Sequence, residues 1–390
     1  MSDRTSVESV SSTQPRQNTT SDSTTPLGGG TPAPAASPKR STRARPADAI
    51  FRGLSTGSAI FIMVILAGVA LFLIVQGMPA IVANWQSNPE LNDGFTSAFD
   101  SFWAYVGPLL FGTLWSAAIA LVLGAPIGIG IALFISHYAP RRLAGLLGYV
   151  VDLLAAVPSV VFGLWGIIVI RPFLLPLSDW LNTYLGWIPI FGGQVSTTGS
   201  TILAGAVVLA VMILPIITSI SREIFLQTPR LHEEAALALG ATRWEMVRLA
   251  VFPYAKSGIV SATLLGLGRA LGETMAIAMI ISPAVIVSFL VITEGENSQT
   301  IAANIALNFP IASTLQRQAL IGTGLLLFVV SLAVNMIARY IVTRGSSKTD
   351  GKKKSRPKPL VVPTGDATST LTRDLVAEKN TAAGPEGASA

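Results

Sequence analysis

Six apolar stretches, each long enough to cross a bilayer, leave this chain few ways to fold. Their approximate limits are 57–78, 107–136, 143–170, 201–221, 258–291 and 319–342, and a spanning helix needs roughly 20 residues. In hydrocarbon every backbone N–H and C=O must find its partner inside the protein, so stretches of this length cross as helices. The expected fold class is therefore all-α, a polytopic membrane protein with six transmembrane helices. Pro158 interrupts the third stretch and Pro283 the fifth, and kinks or broken helices are expected there. In the second, Gly124, Gly128 and Gly130 permit another helix to approach closely.

Charged residues make up 12% of the chain against about 25% in a soluble domain, and the deficit lies in the middle. Residues 1–45 are rich in Ser, Thr, Pro, Gly and Ala, a composition that cannot bury enough surface to order itself. They lack the apolar core of a cleavable signal peptide, so the first apolar run is expected to stay as an uncleaved anchor. From about Ser346, with Lys352, Lys353 and Lys354, the chain turns polar again. The expected organisation is a disordered tail over 1–50, a transmembrane domain over 51–345 and a basic tail over 346–390.

Orientation follows from Lys and Arg. With the residues up to Arg52, the second and fourth loops (137–142 and 222–257) and the C-terminal end from Arg339 in the cytoplasm, 24 of the 27 basic residues lie on that side, as the positive-inside rule requires. Arg171 and Arg317 fall in outer loops and Arg269 within a span. Trp180, Tyr184 and Trp187 occupy the second outer loop, suited to the membrane interface. The net charge of +6 thus orients the chain in a membrane rather than marking a nucleic-acid surface. There is no Cys, and the two histidines, His137 and His232, are far apart, so no metal site is expected. No G-x-x-x-x-G-K-[ST] phosphate loop is present, so ATP hydrolysis in the usual way is excluded from this chain.

Residues 222–257 form a long loop for a helical connection, about 2–8 residues being usual, and it is not disordered in character. Thr228 and Pro229 start a helix, Gly240 stops it, and Thr242 with Glu245 forms a capping box for a second helix that Pro253 ends. Ala235, Ala236 and Ala238 offer a small-residue surface. From the residues alone, an interfacial hairpin without a partner and a docking surface are equally open. Glu234-Ala235-Ala236, three residues, Gly240, nine residues, then Ala250-Val251-Phe252-Pro253 resembles the EAA loop of bacterial ABC importer permeases, with Ala and Phe where that family tends to have Ile and Leu. The resemblance implies coupling helices that dock on a cytoplasmic ATPase, with Glu234, Ala235, Ala236, Gly240 and Pro253 as the coupling set.

Arg269 and Glu273 lie four residues apart, on one helix face, at a depth where either costs about 2.5–3.5 kcal/mol to insert. Gly266, Gly268 and Gly272 leave space beside them. Two readings stand: an internal pair that fixes packing, or a guanidinium offered to a tetrahedral oxyanion with Glu273 bracing it. Arg269-Ala270-Leu271-Gly272-Glu273 is similar to the fifth-span motif of oxyanion importers, and its continuation Thr274-Met275-Ala276 looks like the phosphate-specific, PstC-type permease rather than the sulfate or molybdate kind. Val157-Pro158-Ser159-Val160-Val161-Phe162-Gly163 resembles a second segment of phosphate permeases, though a kink with a satisfied Ser is as good a reading. The resemblance covers about 55–343. It implies that the chain carries inorganic phosphate across the cytoplasmic membrane, with Arg269, Glu273, Thr274 and Ser159 on the path. It also implies a homologous permease partner, two ATPase copies that bind the ATP and an extracytoplasmic phosphate-binding protein, with no cofactor in this chain.

The nearest alternative is the same machine with sulfate or molybdate. A secondary transporter would have no use for the Glu-Ala-Ala loop. An intramembrane enzyme needs a nucleophile–base set or a metal cluster, and Arg269, Glu273 and Asp152 supply neither, so no catalytic residue is expected.

Overall fold

The computed structural model describes residues 46–350, with side chains over 50–340; the two expected tails lie almost wholly outside the described residues. Twelve α-helices follow one another among these residues, and no strand. They are α1 (Pro46–Val82), α2 (Phe102–Leu133), α3 (Arg141–Ala155), α4 (Ser159–Trp165), α5 (Arg171–Leu185), α6 (Ile202–Leu226), α7 (Arg230–Ala238), α8 (Arg243–Met246), α9 (Phe252–Leu271), α10 (Met275–Ile280), α11 (Ile301–Asn308) and α12 (Thr314–Asp350). Six continuous helical stretches are long and apolar enough to span a membrane: Ile50–Val82, Phe102–Tyr138, Ser159–Leu185, Ile202–Leu226, Arg243–Leu271 and Thr314–Tyr340. The all-α class and the six spans are as expected. By its internal contacts the chain divides at Met63, and every site residue lies in the unit from Val64 onward.

Hydroxyl caps start the helices where the sequence supplies them. Ser101 accepts from Ala104 N–H, Thr201 from Ala204 N–H and Thr300 from Ala303 N–H, each satisfying one of the donors a helix start leaves unpaired. The centre is the contact of α2 with α6. A side chain at Gly124 would collide with the Ala210 carbonyl and Ile213, and one at Gly128 with Ile217. Thr218 Oγ1 donates to the Gly128 carbonyl at 3.1 Å. Gly130 has no such neighbour, so two of the three glycines carry the close approach. Around it Ala117, Ala120, Leu209, Ile213 and Ile217 meet Ala270, Leu271 and Ile277 in one buried cluster.

Three expectations are corrected, each through proline or glycine. The third stretch breaks at Pro158 as expected, but its limits of 143–170 do not hold. Val157, driven out of helical geometry by the proline that follows, ends α3 outright, and Pro158 becomes the N-cap of α4. The helix then runs on to Leu185, so Arg171, Trp180 and Tyr184 are helical rather than in an outer loop. Pro253, likewise, does not end a helix. A π-helical turn at Val247–Val251 precedes it, placing Pro253 in the first turn of α9, where its missing N–H breaks no bond. The same arrangement recurs at Gly166–Ile170 ahead of Pro172. The fifth stretch breaks at Gly272–Thr274, well before Pro283, and residues 282–299 are non-helical. Irregular backbone packed into protein must still find partners for its N–H and C=O groups. Here Ile292 accepts from Ser196 N–H, Val291 from Leu203 N–H, and Ala284 from Gln299 N–H, while Asn297, Ser298 and Gln299 are buried.

Candidate functional site

The break after α9 lies deep in the bundle. Gly266 packs on Ile217 and Ile213, and Gly205, near the start of α6, packs on Ile277 and Ile281 of the segment beyond the break. The break therefore sits level with the residues between, in the first half of α6. Two charges frame the short helix that follows. Glu273 is 8% exposed, and its Oε1 accepts the Ala276 N–H at 3.1 Å. At the other end Arg171 Nη2 donates to the Met279 carbonyl at 2.9 Å and also to that of Ile280. A carboxylate at the start and a guanidinium at the end each oppose the local pole of the helix, worth about 0.3–1 kcal/mol apiece in ordinary settings.

This use of Glu273 leaves Arg269 alone. Among the described residues no salt bridge joins Arg269 to Glu273, the close contact of this kind being His137 with Glu233, so the expected bracing is not what the structure contains. The physical reason is the restart of the helix: Gly272 closes α9, turning Glu273 off the Arg269 face and onto the free N–H groups of α10. The Arg269 Nε is buried without a hydrogen-bond partner. An unpaired buried donor costs about 1–3 kcal/mol, and the Arg171 Nε is in the same position. Arg269 faces a cavity of about 720 Å³ whose wall includes Gly268, Ser261, Asn335 and Arg339.

Thr274 and Ser159 stand beside the same break. Thr274 Oγ1 donates to the Gly272 carbonyl at 3.3 Å. Gly163 of α4 packs against Ala276 of α10, and Ser159, half-buried, lies one turn before Gly163 on that face. Neither residue lines the Arg269 cavity. Arg171 and Arg339 are residues that the sequence reading passes over: the first reads as part of an outer loop, the second as part of the basic C-terminal end. A cation in the apolar stretch 159–185 was the available signal for Arg171, and the four-residue spacing of Asn335 and Arg339 for the other.

In the hairpin between α6 and α9 the helix start, the Gly240 reversal and the capping box are as expected, and only the end at Pro253 is not. Pro229 caps α7, the chain reverses at Gly240 with φ +84°, and Thr242 and Glu245 form the reciprocal capping box. Ala235, Ala236, Gly240 and Pro253 come together on a concavity of about 860 Å³. Glu234 is exposed outside it. Leu239 is 90% and Leu231 75% exposed, so the hairpin presents apolar side chains outward. His137, on the turn that ends the second span, approaches Glu233 of α7 at 3.5 Å and ties the hairpin to the bundle. Only Gly adopts a φ of +84° without strain, so Gly240→Val is expected to destabilise the reversal by about 1–2 kcal/mol and misplace α7. Limited proteolysis of the purified protein should show faster cleavage within 227–242 in the variant.

At the other end of the molecule the Thr198 hydroxyl is the largest influence holding the Glu294 carboxyl below the usual range, with the Ser196 hydroxyl, the Thr198 N–H and the Arg171 charge adding to it against mild burial.

The family model described as "Binding-protein-dependent transport system inner membrane component" matches residues 124–346, from the α2–α6 contact through the hairpin and the break to α12. This chain belongs to that family. It is 47% identical over 291 residues to "Phosphate transport system permease protein PstC 2" of Mycobacterium tuberculosis, covering 74% of this chain and 88% of the relative. It is 37% identical over 318 residues to "Phosphate transport system permease protein PstC" of Xylella fastidiosa, covering 79% and 94%. Among solved structures it superposes with TM-score 0.51 and 16% identity on a chain of a bacterial ABC transporter involved in the import of the acidic polysaccharide alginate, covering 77% of this chain and 96% of that one, a likeness of fold. The chain is thus a multi-pass membrane transport component rather than an enzyme.

Proposed function

We propose that this chain is a permease subunit of an ATP-driven importer of inorganic phosphate. The observation that carries the reading is its 47% identity, across 88% of the relative's length, to a phosphate transport permease. A homologous permease partner completes the path, two copies of a cytoplasmic ATPase bind and hydrolyse the ATP, and an extracytoplasmic phosphate-binding protein delivers the solute. The family's own description, a binding-protein-dependent system, supports the last of these. Both termini lie in the cytoplasm, where the basic residues gather, on either side of a permease domain over 51–345; the segments 1–50 and 346–390 lie almost wholly outside the described residues. No cofactor resides in this chain.

The hairpin docks on the ATPase through Glu234, Ala235, Ala236, Gly240 and Pro253. Its concavity and outward leucines support that role, and the continuous helix from Arg243 to Leu271 would carry its movement to the break. Arg269 meets the phosphate, while Thr274, Glu273 and Ser159 shape the constriction beside it. A guanidinium with no carboxylate against it keeps its full charge for a dianion.

Uptake of radiolabelled phosphate, in cells whose high-affinity route contains this chain, tests the substrate. Excess unlabelled phosphate is expected to suppress uptake, whereas equal sulfate or molybdate leaves it unchanged. Full competition by either would transfer the reading to that oxyanion.

A further inference from the structure

The cavity beside Arg269 carries a second arginine that the path reading does not use. α9 lines it with Ser261, Leu265, Gly268 and Arg269, and α12 with Asn335 and Arg339. On each helix the spacing is that of one face: four and then three or four residues apart on α9, four apart on α12. The stripe from Ser261 to Arg269 is about 12 Å long. None of the residues lining it is acidic. Ser261 spends its hydrogen on the Ser257 carbonyl at 3.0 Å, which leaves Arg269, Asn335 and Arg339 as the donors facing the space. A side chain at Gly268 would meet nothing within 4 Å, so the volume in front of Arg269 is open.

A wall of donors with two positive charges and no carboxylate recognises a phosphate-class oxyanion and repels cations. Arg269 lies deep, at the end of α9, and Arg339 is exposed, toward the end of the apolar part of α12. We propose that this cavity is a two-arginine site in which Asn335 and Arg339 bind the phosphate group at a position separate from Arg269, so that the anion passes between two cationic contacts instead of leaving one directly for water. This rests on the reading of Arg269 as a path residue. Two positions of moderate strength conduct better than one tight one, because binding at each must be weak enough to leave. The same donors would accept the phosphate of an anionic lipid headgroup, and the shared chemistry is a phosphate group held by Arg339.

The whole transporter, reconstituted with its partner subunits in phosphatidylcholine vesicles and in vesicles containing phosphatidylglycerol, separates the cases by ATP-driven uptake of radiolabelled phosphate. Arg339→Gln is expected to lower the uptake rate about tenfold in both lipids, as loss of a charged donor does, with Arg339→Lys recovering part of it and complex assembly unchanged. If wild type is faster with phosphatidylglycerol and Arg339→Gln removes only that difference, the bound phosphate is the lipid's. Arg339→Gln equal to wild type in both vesicles, while Arg269→Gln is inactive, overturns the second position and leaves the path reading standing. Wild-type uptake by both variants removes both. Gly268→Leu, which fills the cavity without touching a charge, is expected to block uptake as well; normal transport by it would also overturn the site.

Discussion

Replacing Arg269 by glutamine is expected to lower phosphate uptake about tenfold or more, with the protein present in the membrane at normal abundance and normal thermal stability. The second half of that statement comes from the structure. Breaking a buried ion pair costs about 3–5 kcal/mol because the remaining charge is stranded, and a helix face carrying Arg269 and Glu273 four residues apart invites the idea of such a pair. In the folded chain Glu273 is engaged with the Ala276 N–H instead, and the Arg269 Nε has no protein partner to lose. Glutamine therefore strands nothing and removes only the charge offered to the cavity. Glu273→Gln should be mild, since an amide oxygen still accepts from Ala276, whereas Glu273→Leu should impair folding. Uptake, membrane abundance and the unfolding midpoint, measured together, decide it. An unstable Arg269→Gln rescued by Glu273→Gln would restore the pair and sink the path role.

How much of this was legible in the residues depends on the length scale of the signal. Span number followed from hydropathy because a membrane helix has no other way to satisfy its backbone. The hairpin followed from local chemistry: Pro229, Gly240 and the Thr242–Glu245 box each act within four residues of themselves. What misled was proline at helix ends. Pro253 and Pro172 sit after π-helical turns, and nothing in a proline itself announces whether the preceding turn will widen to accept it. The partner of Glu273 was hidden for a related reason. Its pairing with Arg269 presumed an unbroken helix, and the break depends on how Gly272, the Glu273 carboxylate and the packing of Ile277 on α6 act together. Arg339 illustrates a third limit: charge counting put it with the basic end, and only the approach of α12 to α9 places it on the wall of the Arg269 cavity.

Arg171→Leu is expected to destabilise the transporter by about 3 kcal/mol, two hydrogen bonds from a charged donor being worth about 1.5–3 kcal/mol each before relaxation. The substitution should abolish uptake although Arg171 lines none of the cavity around Arg269. A six-residue helix is too short to hold itself, since nucleation alone outweighs its few internal bonds. α10 persists because Glu273 satisfies its first turn, Arg171 takes the carbonyls of Met279 and Ile280, and Ala276, Ile277 and Ile280 are fully buried. Leucine suits the apolar stretch around position 171, so insertion should be normal and the loss should appear as a lowered unfolding midpoint. Arg171→Lys should recover part of the stability by reaching one carbonyl. Glu294→Gln serves as the contrast: that carboxylate is exposed and held chiefly by Thr198 and Ser196, so Arg171 keeps its grip on α10 and the midpoint should move little. Were Arg171→Leu as stable as wild type, the clamp on α10 would be ornamental and the break would have to be held by apolar packing alone. If instead Glu294→Gln proved the more damaging change, Arg171 would act through that carboxylate, and the short helix would owe its position to the Ser196–Thr198 loop beside Arg171.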